Sequence, residues 1–178
     1  MFRIVLKFGV IAGLIVGTVL FGMSVAMAGK PPMSFGMVFG YVSMLIALST
    51  VFMGVKRYRD VELGGVIRFW PAFGMGLAIS LIASIIYVLA WEASLAVTNL
   101  DFAASYSQVL IEQKKAQGMS GEELVKFIAQ MEDFKVMYAK PLFRLPMTFA
   151  EIFPVGLLVS LVTAGLLRNS RFMAVQRT

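Results

Sequence analysis

The chain has 178 residues and contains neither cysteine nor histidine. The absence of cysteine excludes disulfides and thiolate chemistry. The absence of histidine removes the commonest metal ligand and the commonest general base. Most hydrolase and metalloenzyme mechanisms depend on one of these two residue types. We therefore expect a protein that is not an enzyme and that binds no cofactor.

Charged residues are also scarce, at 15% of the chain against 59% hydrophobic residues, whereas soluble domains carry about 25% charged residues. Four long apolar blocks explain the imbalance, and they are residues 8–28, 35–55, 69–91 and 145–167. Only the fourth contains a charge, Glu151. Each block is long enough to cross a bilayer core, which takes about 20 helical residues. The pattern predicts an all-α integral membrane protein, a four-helix bundle that forms a single membrane domain over residues 1–178.

The first block has two possible interpretations. Arg3 and Lys7 precede it, and it ends in small residues, as in a cleaved secretory signal. However, a signal core typically spans 7–15 residues, and this block is longer. It also carries Gly9, Gly13 and Gly17 at the four-residue spacing of a helix-packing face in lipid. We predict that this helix is retained and that its glycine face packs on another span.

Two other blocks carry similar stripes of small residues. They are Ala72, Gly76, Ser80 and Ser84 in the third block and Gly156, Ser160 and Ala164 in the fourth. Small residues allow helix backbones to approach closely in a membrane. We expect both stripes to be faces of close helix contact.

The connections between the blocks contain proline and aromatic residues. A tight turn is predicted at residues 30–32, Lys-Pro-Pro, because proline cannot continue either neighbouring helix. Phe69, Trp70 and Pro71 are expected to open the third span, and Pro146 is expected to start the fourth.

The segment 98–144 is the only sizeable part outside the blocks, and it reads as a hairpin of two amphipathic helices. Gln117 and Gly118 are expected to end the first helix, and Ser120 with Glu123 forms a capping-box pattern for the second. The expected apolar faces are Phe102, Tyr106, Val109 and Leu110 on the first helix and Leu124, Ile128, Met131, Phe134 and Tyr138 on the second.

The basic residues predict the orientation in the membrane. The N-terminus, the linker after the second block and the C-terminal tail carry nine basic residues: Arg3, Lys7, Lys56, Arg57, Arg59, Arg68, Arg168, Arg171 and Arg177. The long loop has six, which six acidic residues match. The positive-inside rule therefore places both termini in the cytoplasm and the hairpin outside. We attribute the net charge of +6 to this asymmetry and not to nucleic-acid binding.

Two stretches carry a family resemblance. They are residues 47–60, Ala-Leu-Ser-Thr-Val-Phe-Met-Gly-Val-Lys-Arg-Tyr-Arg-Asp, followed by Gly65, Phe69, Ala72, Phe73 and Gly76, and residues 148–156, Thr-Phe-Ala-Glu-Ile-Phe-Pro-Val-Gly. With these residues the chain resembles the bacterial membrane family catalogued as domain of unknown function 4199. The resemblance implies a small envelope protein of Gram-negative bacteria, and it implies no known activity.

Glu151 is the most informative candidate residue, because an ionisable group inside a span is costly and is usually functional or partnered. Pro154 lies three residues on and frees the carbonyl of Ala150, which would suit an ion site of a transporter. The alternative is a buried Glu151 that joins helices through serine, threonine or tyrosine. Glu92 lies at the outer end of the third block. It either pairs with Glu151 to share a proton or a cation, or it is hydrated and faces the outer loop.

A cluster at the end of the second block contains Lys56, Arg57, Arg59 and Asp60, with Arg68 beyond it. Its basic residues either bind anionic lipid headgroups or a partner, or they fix orientation by snorkelling to the membrane surface. The nearby acidic residues argue against a strong lipid-binding cluster.

These observations favour a multi-pass protein of the bacterial inner membrane, of uncharacterised function, that acts as a non-enzymatic interaction or accessory protein through its hairpin. The alternative is a small oligomeric component of a transporter or channel that uses the intramembrane carboxylates. The expected partners are the lipid bilayer and either another protein or further copies of the chain.

Overall fold

A computed structural model describes residues 1–27, 36–99 and 101–174. Within these ranges it contains six helices and no strand. The helices are α1 (Phe2–Met27), α2 (Gly36–Glu62), α3 (Phe69–Thr98), α4 (Phe102–Ala116), α5 (Gly121–Tyr138) and α6 (Pro141–Leu167). Four of them, α1, α2, α3 and α6, are long and apolar enough to span a membrane.

The helices extend beyond the apolar blocks of the sequence. α2 continues through the basic cluster to Glu62, and α3 continues to Thr98, because charged side chains end an apolar run without breaking backbone hydrogen bonds. α3 begins at Phe69, as predicted. The prediction that Pro146 starts the last span is wrong, because α6 begins at Pro141 and Pro146 lies inside it. The turn predicted at residues 30–32 lies outside the described residues.

The four long helices form a ring in the order α1, α3, α6, α2, because α3 and α2 each contact both α1 and α6. The glycine face of α1 packs on α3, as the sequence predicts. A Cβ atom added to Gly13 would lie 2.7 Å from Cβ of Ile86, and one on Gly9 would lie 2.8 Å from Cβ of Ile82. Such distances leave room for glycine only, and they confirm a seam of close backbone approach.

The second seam joins α3 to α6 through the two predicted stripes of small residues. A Cβ atom on Gly156 would lie 2.7 Å from Cβ of Ser80. The Ser80 hydroxyl lies 3.2 Å from the Gly156 carbonyl oxygen and 3.2 Å from the Ser160 hydroxyl oxygen. All three residues are buried. The hydroxyls therefore satisfy one another inside a contact that is too close for larger side chains.

α4 and α5 run antiparallel, because Phe102 contacts Tyr138 and Tyr106 contacts Phe134 through their rings. Gly118, with φ of +91°, lies between the two helices. Asp101 caps α4 by accepting a hydrogen bond from the Ala104 amide at 2.9 Å. Ser120 is the N-cap residue of α5, but its side chain accepts no capping hydrogen bond. The capping box predicted from Ser120 and Glu123 is therefore not formed.

Candidate functional site

An ion pair connects the end of α3 to the beginning of α6. Arg144 donates from Nε to Oε1 of Glu92 at 2.7 Å and from Nη2 to Oε2 at 2.5 Å, which is a bidentate pair. Its Nη1 also donates to the Tyr138 carbonyl oxygen at 3.4 Å. Both charged side chains are mostly buried, with exposed fractions of 17% for Arg144 and 29% for Glu92. Glu92 is therefore neither simply hydrated nor paired with Glu151.

An aromatic cluster lies beside this ion pair and fixes the base of α4 and α5. Trp91 donates a hydrogen bond from Nε1 to the Tyr138 hydroxyl at 2.8 Å. The Trp91 ring packs edge-on against Phe102 at 5.1 Å, and Phe102 contacts Tyr138 at 5.5 Å. Tyr138 is buried, and this burial raises the pKa of its phenol against the opposing effect of the Trp91 hydrogen bond.

Glu151 is exposed on the surface of α6, so the burial expected in the second interpretation is wrong, whereas the expected link to another helix through tyrosine is confirmed. Its Oε2 accepts a hydrogen bond from the buried Tyr87 hydroxyl at 3.3 Å. Glu151 is exposed because of the phase of the helix, in which the buried positions 152, 156 and 160 face α3. Glu151 lies one residue, about 100°, away from that row. The stripe of Gly156 and Ser160 already predicted the buried side of the helix, so this signal was present in the sequence.

Pro154 lies inside α6 and is also exposed. Because proline has no N–H group, the Ala150 carbonyl lacks its usual donor four residues on. Ala150 is exposed as well. The structure therefore brings a carbonyl acceptor and the Glu151 carboxyl to the same surface, whereas Glu92 has Arg144 as its own partner.

At the other end of the bundle, Arg59 of the basic cluster binds the C-terminal tail of the same chain. Arg59 is fully buried and donates to the carbonyl oxygens of Phe172 at 2.9 Å and Met173 at 3.0 Å. Its Nε donates to Oδ1 of Asp60 at 2.6 Å, and Lys56 donates to Oδ2 of the same carboxylate at 2.6 Å. Neither lipid binding nor snorkelling fits a fully buried Arg59.

The neighbouring basic residues differ from Arg59 in exposure. Arg57 and Arg68 are exposed, so both interpretations made from the sequence stay open for them. The role of Arg59 was missed because its partners lie 113 and 114 residues away. The only local signal was the acidic Asp60 directly after it.

The surface between the spans offers little polar chemistry. An open groove between α3 and α6 is lined by apolar side chains, Ile85, Val88, Leu89, Leu145, Pro146 and Phe149. Among the described residues, no group of three or more acidic side chains lies together in a way that suits a metal ion. The polar groups that stand out are therefore the Glu92–Arg144 pair, the Arg59 site and the exposed Glu151.

Comparison with known proteins identifies a family and no characterised relative. No curated protein matches the chain, and no solved structure matches it. The model of one family, described as a protein of unknown function (DUF4199), matches residues 7–169. The match covers both stretches that carried the resemblance in the sequence. The chain therefore belongs to the DUF4199 family of proteins of unknown function.

Proposed function

We propose that the protein is a multi-pass protein of the bacterial inner membrane that acts as a non-enzymatic interaction or accessory protein through α4 and α5. In this proposal both termini lie in the cytoplasm, and α4 and α5 lie on the outer side. Two observations support the topology. The basic residues are concentrated in three segments, and two contacts join the chain ends to the end of α2: the N-terminal amine with Glu62 at 3.1 Å, and Met173 with Arg59.

The observation that carries the interaction role is an exposed stripe on α5. Val125, Ala129, Glu132 and Val136 recur at helical spacing, and all four are exposed. Val125 is 66% exposed and Val136 is 62% exposed. We call these four residues the α5 stripe. Three of its four positions are apolar and the fourth, Glu132, pairs with Lys135. Exposed apolar side chains on a helix outside the spans favour a contact with another protein.

The contacts that hold α4 and α5 on the bundle support the same conclusion. The Trp91–Tyr138 hydrogen bond ties α5 to α3. Arg144 of α6, which pairs with Glu92, also donates to the Tyr138 carbonyl of α5. A segment held in this way presents its stripe in a fixed orientation, which lowers the entropic cost of binding. The transport alternative has less support, because Glu92 is engaged with Arg144 and Glu151 is exposed on α6 with Tyr87 as its partner.

Single-cysteine labelling tests the topology, since the chain has no cysteine of its own. Glu122→Cys and Arg171→Cys place a thiol at exposed positions of α5 and of the tail. A membrane-impermeant maleimide added to intact spheroplasts should label the first variant and should label the second only after the membrane is opened. The reverse pattern would contradict the proposed orientation.

Photo-crosslinking tests the interaction role. A photoreactive amino acid at Val136 should crosslink one discrete partner protein in native membranes, and Val125→Glu in the same chain should weaken that product. Leu89 is the matched control, because it is also 62% exposed but lies on the spanning part of α3. If both positions yield the same products, or if Val125→Glu has no effect, the α5 stripe is not a docking surface.

A further inference from the structure

One face of α6 is not covered by any other residue that the structure describes. Met147, Ala150, Glu151, Pro154 and Leu158 recur at helical spacing and are all exposed. We call these five residues the Glu151 face. They lie on a helix that is long and apolar enough to cross a membrane. Apart from Glu151, the face carries only apolar side chains.

The Glu151 face has hydrogen-bond acceptors but lacks donors. Among the described residues, the carboxylate accepts one hydrogen bond, from Tyr87 at 3.3 Å, whereas an ionised carboxylate has about four acceptor sites. The Ala150 carbonyl adds a further acceptor, because Pro154 has no N–H group to donate to it. None of the other side chains on this face carries a donor. The surface therefore matches a partner that supplies a cationic donor.

The position of Glu151 along α6 argues against a lipid headgroup as this partner. Glu151 follows Arg144 by seven residues, which corresponds to about 10 Å along the helix. Arg144 lies beside Trp91 and Tyr138, and such aromatic residues mark the level of the membrane interface. An amine of a lipid headgroup at that level would be too far from the carboxylate to bind it directly.

A second copy of this chain does not fit the Glu151 face either. None of the four apolar blocks contains lysine or arginine, so another copy has no cation to place at this depth. A spanning helix of a different protein with one basic residue can supply it, and ionisable residues in membranes commonly pair in this way. The small Ala150 side chain and the shallow Pro154 ring also permit close helix approach.

We propose that the Glu151 face docks a transmembrane helix of another protein, which places a lysine or arginine side chain against Glu151. This contact lies within the membrane and is separate from the α5 stripe. The two surfaces are tested by different probes, so the failure of one leaves the other standing.

The test uses the full-length protein in phosphatidylcholine vesicles with a synthetic single-span helix of leucine and alanine. One peptide carries lysine about 10 Å from its outer end, a second has leucine there, and a third has glutamate. Fluorescence energy transfer between labelled protein and labelled peptide reports association. We expect the lysine peptide to bind about three- to tenfold more tightly than the leucine peptide, as for one interhelical polar contact in a bilayer.

The matched variant is Glu151→Gln, which keeps the size of the side chain and its hydrogen bond with Tyr87 but removes the charge. It should bind the lysine and leucine peptides equally. A charge-reversed variant, Glu151→Lys, should instead prefer the glutamate peptide. The comparison of the lysine and leucine peptides uses the wild-type protein. It can therefore contradict the proposal even if a variant misfolds.

Three results would overturn it. The first is equal binding of the lysine and leucine peptides by the wild-type protein. The second is an unchanged lysine preference in a folded Glu151→Gln protein. The third is energy transfer between copies of the chain that requires Glu151 and occurs without any lysine preference, since the occupant would then be a second copy.

Discussion

Arg59 and Arg144 lie in different parts of the bundle and have similar structural roles, but they differ in burial. Arg59 is fully buried and binds two carbonyls of the tail together with Asp60. Arg144 retains 17% exposure and binds Glu92 and the Tyr138 carbonyl. Each attaches a segment outside the spans to the bundle. The difference in burial predicts that loss of Arg59 destabilises the whole bundle, whereas loss of Arg144 releases only α4 and α5.

The largest effect is expected for Arg59→Leu. The substitution leaves two tail carbonyls without their donor in a buried site and leaves Asp60 with Lys56 as its remaining partner. We expect a cost near the lower end of the range of about 3–5 kcal/mol for breaking a buried ion pair. Thermal unfolding in detergent should show a large fall in Tm. Arg57→Leu is the matched control, because Arg57 precedes Arg59 by two residues and is exposed, and it should change stability by less than about 0.5 kcal/mol. Similar Tm values for the two variants would mean that Arg59 does not hold the tail.

The contrast between the two arginines also shows what the sequence can reveal. Long apolar blocks with at most one charge predicted four spans, and glycine and serine spacing predicted both close seams, because these features depend on local composition and helical period. The partners of Arg59 depend on how the chain folds back after α6. The Glu92–Arg144 pair joins residues 52 positions apart. Such contacts follow from tertiary packing, and no local pattern encodes them.

Glu151 is an intermediate case. Its location within the last span followed from the apolar block around it. Its exposed face was not predicted, although the neighbouring small-residue stripe marked the buried side of the helix. The identity of its hydrogen-bond partner did not follow from the sequence, because the Tyr87 hydroxyl belongs to another helix and is 64 residues away. A residue's depth and helical phase are thus readable from the sequence, whereas its hydrogen-bond partner is not.

A smaller effect is expected for Arg144→Leu. The substitution removes both the Glu92 pair and the hydrogen bond to the Tyr138 carbonyl of α5. Because Arg144 is partly exposed and its interactions are therefore partly screened, we expect a loss of about 1–2 kcal/mol for the docking of α5. Limited trypsin digestion should cleave more quickly at Lys126 in α5, while the Tm of the bundle changes little. The double variant with Glu92→Leu should be less damaged than the sum of the single variants, because neither charge is then left unpaired. Additive effects would show that the two side chains are not coupled.

Tyr138→Phe tests the contribution of a single hydrogen bond to the docking of α5. It removes the acceptor of Trp91 Nε1 but keeps the ring contacts with Phe102 and Phe134. We expect a loss of about 0.5–1.5 kcal/mol in the docking of α5, measured by the same digestion rate. Tyr106→Phe is the control, because Tyr106 is exposed and contacts the same aromatic cluster. Equal rates for the two variants would argue that the hydrogen bond contributes nothing.

The smallest effect is expected from raising the pH, and it concerns only the α5 junction. Burial raises the pKa of Tyr138 above the value of about 10 for an unfolded chain. The neutral phenol is therefore favoured in the folded state. Its contribution to stability is fully present below about pH 10 and is lost as the pH rises through the higher pKa of the folded state.

Tryptophan fluorescence measures this response, because a neighbouring phenolate quenches an indole. In a Trp70→Phe background Trp91 is the sole tryptophan of the chain, and it donates its hydrogen bond to Tyr138. Its emission should fall with a midpoint above pH 10, at a pH where the bundle is still folded by circular dichroism. Adding Tyr138→Phe should remove the transition. A midpoint at or below pH 10 would mean that Tyr138 is hydrated. In that case α5 would not be docked through Tyr138, and the base of α4 and α5 would lie away from Trp91.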